Sequence, residues 1–200
     1  MCHAAIPEIT LEPTTAFTAR SIGGFNGLVG APDGANGTAW LSTFLDAKES
    51  TSEDSSDRVI LEYDLRNRPR AVSAQFEING LPINRPTDPT TLELYAFTGN
   101  GLANAADYFR LDSLVTIFDG PATAELSWTL GITAKYNEFL TVGHDFLGLL
   151  IRTGVGARYN FRPFPVIQVV VPEPASSLVA ISAISVFLTR RRRGPSSNCS

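Results

Sequence analysis

The chain has 200 residues, 44% hydrophobic and 18% charged, with a net charge of −4; it is long enough for one domain with a core and too apolar to remain disordered. Residues 1–171 hold 12 Lys and Arg against 19 Asp and Glu, whereas residues 172–200 hold four Arg and one Glu. An acidic body lacks the electrostatic footprint of a nucleic-acid binder, so no nucleic-acid partner is expected.

Residues 1–16 have no basic n-region and no apolar h-region, and they carry Glu8 and Glu12. They do not read as a signal peptide, and are expected to be a disordered or truncated lead-in to a domain of residues 17–171. Beyond them, clusters of Gly, Pro, Asn and Asp recur at the spacing of a β-sandwich. Residues 38–45 and 59–65 are short apolar segments. In the second, Val59, Leu61, Tyr63 and Leu65 alternate with Ile60, Glu62 and Asp64, and the latter set reads as a solvated face. Residues 50–57 form a low-complexity acidic loop, Arg66, Arg68 and Arg70 a solvated turn, and residues 82–89 a proline-punctuated connection. Between them, Val72, Ala74, Phe76 and Ile78 alternate with Ser73, Gln75 and Glu77, the pattern of a half-buried strand. Leu92, Leu94 and Ala96 repeat it, as do Ala124, Leu126, Trp128 and Leu130. Residues 132–142 have helical spacing at Ile132, Tyr136, Phe139 and Leu140. Residues 146–153 and 166–171 are more uniformly apolar, as strands buried on both faces would be. No period of 20–50 residues repeats, which excludes solenoids and propellers. The predicted fold is all-β, an antiparallel two-sheet sandwich with one short helix.

Catalytic chemistry is sparse in the body. His144 is its one histidine, and neither a nucleophile elbow nor a phosphate-cradling loop is present. Two carboxylates would suffice for a glycosidase, and Glu62 and Asp64, about 7 Å apart along one strand face, are equally what solvent exposure produces. The expectation is therefore no enzyme, no catalytic residue and no cofactor. One alternative is structural calcium. Residues 96–107 align with a twelve-residue calcium loop, with Asn100, Asn104 and Asp107 at ligand positions and Gly101 at the tight turn. Ala96 stands where the first aspartate belongs. Another alternative is a carbohydrate-binding module using aromatic stacking. Trp40, Tyr95, Trp128 and Tyr136 are available, with Tyr108 and Tyr159 favoured because they lie near loops.

The C-terminal residues carry the most specific signal. After Val171 come Pro172, Glu173 and Pro174, then an uncharged apolar stretch at residues 175–189, then Arg190, Arg191, Arg192 and Arg193, with residues 194–200 trailing. As a helix the stretch would reach about 22 Å, short of the hydrocarbon thickness. Its arginines fit the positive-inside rule, which leaves the acidic body on the far side of the membrane. Cys2 and Cys199, the two cysteines, stand at opposite ends, so the body holds no disulfide framework or Cys-based metal site.

The order Val171-Pro172-Glu173-Pro174, apolar segment, Arg190–Arg193 resembles the PEP-CTERM sorting signal of exported bacterial proteins. That resemblance implies an exosortase-type sorting enzyme as partner, transient anchoring in the inner membrane through residues 175–189, cleavage near Pro-Glu-Pro, and residence at the cell surface or outside. Extracellular polysaccharide is the associated ligand class. In the body, residues 58–65, 91–101, 145–152 and the Arg162-Pro163 pair resemble, in the same order, segments of DNRLRE-type β-sandwich domains. This second resemblance implies a jelly-roll-like sandwich and brings no catalytic residues with it. The reading is an exported, non-enzymatic surface or matrix protein: a body at residues 17–171, a sorting and anchoring segment at 172–193 that includes a C-terminal hydrophobic helix, and a short tail. A carbohydrate-binding module and, behind it, a glycosidase are the alternatives.

Overall fold

The computed structural model describes residues 7–22, 25–29, 45–49, 55–84, 90–102, 104–120, 126–153, 158–161 and 164–172. The first half of the chain forms β1 (Glu8–Leu11), β2 (Thr15–Ile22), β3 (Phe25–Val29), β4 (Leu45–Glu49), β5 (Ser55–Asp64) and β6 (Ser73–Asn84). The second half forms β7 (Thr90–Thr98), a 3-10 helix (Ala105–Phe109), β8 (Ser113–Gly120), β9 (Leu126–Gly131), α1 (Thr133–Val142), β10 (Phe146–Thr153), β11 (Arg158–Phe161) and β12 (Val166–Val170).

Every strand pairing among the described residues is antiparallel. Two sheets result, one of four strands in the order β9-β6-β12-β1 and one of five in the order β2-β5-β10-β7-β8. β3 pairs with β2. β11 pairs with both β6 and β4, and β4 pairs with β5, so hydrogen bonding passes unbroken from one sheet to the other. β6 is long enough to serve three partners: Ser73–Glu77 pair with β12 and Gly80–Asn84 with β11, while Gln75–Gly80 pair with β9. It runs through Pro82, where residues 82–89 were expected to be a connection. Proline has no N–H for the ladder, and the register shifts opposite it, between Arg158 and Tyr159.

Period-2 alternation explains the main core. Val59, Leu61 and Tyr63 of β5, Leu92, Leu94 and Ala96 of β7, and Leu147, Leu149 and Ile151 of β10 meet Ala74, Phe76 and Ile78 of β6 and Ile167 and Val169 of β12. The buried Tyr63 hydroxyl donates to the Pro165 carbonyl at 2.8 Å, which satisfies the one polar atom its ring brings into the core. Gly80 leaves room for the Trp128 ring, which a Cβ there would meet at 2.7 Å.

The helix expected at residues 132–142 is α1. Tyr136 and Phe139 turn inward, and Gly143 ends the helix in the left-handed conformation at φ 85°. Its Asn137 side chain accepts the Ala71 N–H at 2.8 Å and donates to the Ala71 carbonyl at 2.9 Å. Thr133 accepts the Ala74 N–H at 2.9 Å.

Three expectations change. Residues 8–16, expected outside the domain, include β1, which pairs residue for residue with β12. β12 was expected to be buried on both faces; it is flanked by β1 and β6, but Ile167 and Val169 alone are buried while Val166, Gln168 and Val170 face outward. β8 has no counterpart among the expected strands. The segments at 38–44 and 173–200 lie outside the described residues. No helix among the described residues is long and apolar enough to cross a membrane.

Candidate functional site

Alternation along β5 points Arg58, Ile60 and Glu62 away from the main core. They are nevertheless buried, Glu62 with 0% of its surface exposed. The expected solvated face is instead covered by the described residues of the β7–β8 connection, 99–102 and 104–112, whose 3-10 helix packs on β2, β3 and β5. Beneath it lies a second small core of Phe17, Ala19, Ile60, Phe97, Tyr108 and Leu150.

A set of charged contacts holds this cover. The Glu62 carboxylate accepts the Asn100 N–H at 3.2 Å and the Gly101 N–H at shorter range. The turn that presents these amides has sequence requirements. Gly101 sits at φ 79°, in the region that favours glycine, and a Cβ on Gly99 would stand 2.8 Å from the Glu62 carboxylate. The Thr15 hydroxyl donates to the Gly101 carbonyl at 3.0 Å, tying the same turn to β2. Further along, Arg58 donates to the Tyr108 carbonyl at 2.7 Å, and its guanidinium lies 4.0 Å from the centre of the Tyr108 ring. Arg110 lies over Phe97 and pairs with Asp112 at 2.8 Å.

Asp107, in the 3-10 helix, is buried as well. One side of its carboxylate takes the Asn104 N–H, and Oδ2 has no hydrogen-bond partner. Burial raises the Asp107 carboxyl above its ordinary value, against the pull of Arg110 and the Asn104 amide. Burial raises Glu62 too; its two amides pull it back, Asp107 pushes it further up and Arg110 lowers it. The cluster thus joins two buried acids and two arginines under a loop. What these contacts evidently do is fasten that loop.

The sequence-predicted residues are distributed differently. Tyr108 and Tyr159 are both buried, so neither offers a ring face for stacking on sugar. Tyr136 is buried too; Tyr95 is half-buried with its hydroxyl on Glu93, and Trp128 donates to the Asp119 carbonyl while packing edge-on against Phe118. Trp40 lies outside the described residues. The proposed calcium loop is not formed as one unit, because its first residues belong to β7. Asn100 Oδ1 accepts the Leu102 N–H and Asn104 Oδ1 the Ala106 N–H, each at 2.9 Å, which leaves both amides occupied by their own turns. Among the described residues no group of three or more His, Cys, Asp or Glu is arranged to hold a metal ion. His144 follows α1, its ring against Phe139 and 3.5 Å from the Thr98 hydroxyl.

Asp64 and Glu62 share a strand phase but not an environment. Asp64 is paired with the exposed Arg66 at 2.6 Å, which holds its carboxyl down at about 2. A cavity of about 320 Å³ lies beside β1 and β12, lined by Glu12, Pro13, Phe164 and Val166. Of the sorting signal, Val171 is buried and Pro172 exposed; Glu173, Pro174 and Arg190–Arg193 lie outside the described residues. Sequence reasoning missed the role of Glu62. The signal was the company it keeps: Ile60 in the same phase, and a Gly-Asn-Gly turn at 99–101 able to offer free amides. No protein-family model matches the chain, and no curated protein matches it.

Proposed function

We propose that the protein is a non-enzymatic exported surface or matrix protein, a jelly-roll-like sandwich body delivered by a C-terminal sorting segment. The observation that carries this reading lies in the last described residues. β12 ends at Val170, the Val171 N–H bonds the Pro7 carbonyl at 3.1 Å, and Pro172 is exposed. Pro172 thus follows β12 by two residues, and an enzyme that recognises it reaches it without unfolding that strand. In this reading the apolar stretch at 175–189 is a helix that anchors the protein transiently in the inner membrane, and Arg190–Arg193 remain on the side of origin. An exosortase-type enzyme then cuts near Pro-Glu-Pro and frees the acidic body. The buried tyrosines favour a structural body over a carbohydrate-binding module.

The test is expression of the full chain in two otherwise identical cells, with and without a working exosortase, followed by fractionation and intact-mass measurement. The expected result is a product shortened at the C-terminus outside the first cell and a full-length, membrane-associated chain in the second. Full-length chain in the cytosol of the first cell overturns the proposal.

A further inference from the structure

We propose that Glu62 and Asp107 form a proton-binding pair that sets how tightly residues 99–112 close over the outer face of the five-stranded sheet. Two carboxylates from different elements are buried, one on β5 and one on the 3-10 helix above it, and the charge of Asp107 acts on Glu62. Glu62 is the fastener, since it receives the amides of Asn100 and Gly101. Asp107 is the group left incomplete: Oδ2 is shielded from water and has no hydrogen-bond partner, so the Asn104 N–H and the field of Arg110 offset the burial of its charge only in part. A proton on Asp107 removes that buried charge and its repulsion on Glu62.

The surrounding charges do not cancel this. On β5 the neighbours are Arg58, bonded to the Tyr108 carbonyl, and Asp64, paired with Arg66. From the connection itself come Tyr108 and Arg110, whose guanidinium acts on both acids but is bonded to Asp112. β7 and β10 contribute Glu93 and Arg152, 3.7 Å apart and paired with each other. β2 carries no charge at the positions in phase with Thr15, Phe17 and Ala19, and β3 has no charged residue.

Closure takes up a proton and opening returns it to solvent. Both carboxyls bind the proton more tightly in the closed state than their ordinary values of 4.5 and 3.8. Closure is therefore strongest below those values and weakens as pH rises through the raised ones. Opening exposes Ile60, Phe97 and Leu150, so pH governs access to an apolar face.

The experiment is hydrogen exchange of the full chain at about pH 3.5 and about pH 7.5, at constant ionic strength and corrected for intrinsic exchange. In the wild type, amides of residues 100–112 should be several-fold better protected at the lower pH, while those of β6 and β12 keep one value. In Asp107→Asn that difference should shrink to the part carried by Glu62, with protection at the higher pH raised toward the wild-type acid level. Equal protection at both pH values in the wild type, or an undiminished difference in the variant, overturns the proposal. A second measurement does not depend on the variant folding. Carboxyl-carbon NMR titration of the wild type should show one Asp and one Glu titrating above the ordinary carboxylate range. All carboxyls titrating at or below it would overturn the proposal as well.

Discussion

Glu62 stands opposite Gly148 of β10 and Thr15 of β2, with the 99–101 turn above it. Each neighbour is small or supplies a hydrogen-bonding backbone, which is how a strand accommodates a carboxylate with no exposed surface. Replacing it with alanine removes the acceptor for two amides at once, and an orphaned buried donor costs about 1–3 kcal/mol. Glu62→Ala should therefore lower stability to urea by roughly 2–4 kcal/mol, read from the shift in the denaturation midpoint at unchanged slope. A loss under about 0.5 kcal/mol, the size of an ordinary surface substitution, would mean the turn finds other partners. Residue identity alone did not forecast this. Glu62 and Asp64 alternate identically in the sequence, and only the chain that returns over Glu62 separates a buried fastener from an exposed partner of Arg66. The same holds for Tyr108 and Tyr159: proximity to loops suggested exposed platforms, but Tyr108 lies in the 3-10 helix packed on β2, β3 and β5, Tyr159 lies in β11 between β4 and β6, and both are buried.

Elements with one strong period were legible before the structure. β6 and α1 alternate or recur cleanly because each buries one face, and β10 is uniformly apolar because Leu147, Leu149, Leu150 and Ile151 serve both cores. β8 was illegible for the opposite reason. It pairs with β7 and leaves Leu114 and Ile117 exposed while Phe118 is buried, so its hydrophobic residues follow no single face. β12 misled differently, as an outward row of Val166 and Val170 looks in sequence like a second buried face. The attachment of α1 is a prediction at this scale. Asn137 mimics a strand neighbour by bonding both the N–H and the carbonyl of Ala71, and hydrophobic spacing alone does not hold the helix there. Asn137→Ala should cost about 1–3 kcal/mol and raise exchange at Ala71 and along α1 while leaving the amides of β7 and β8 unchanged. Uniform loosening of the whole chain would show that the pair acts globally.

At the scale of the molecule, the all-β fold class was legible, while the path of the chain was not. Periodicity says that a strand has a buried face but not which strand lies beside it, and here β11 and β4 join the two sheets by hydrogen bonds that no local pattern announces. A truncation series tests where the body ends. A chain stopped after Pro172 retains every described strand and should melt within a few degrees of the full chain by circular dichroism. One stopped after Pro165 loses β12, the strand between β1 and β6, and should fail to fold cooperatively. Cooperative folding of the shorter chain would mean that β1 and β6 can pair without it.

The pairing of β1 with β12 also bears on the timing of synthesis. Glu8 meets Val170 and Leu11 meets Ile167, so the first of the described strands lacks this partner until the last of them has emerged. Contacts of such sequence separation are slow to form, and a chain made from its N-terminus cannot form these early. The four-stranded sheet stays incomplete until β12 has been made, and until then its apolar rows lack their last neighbour.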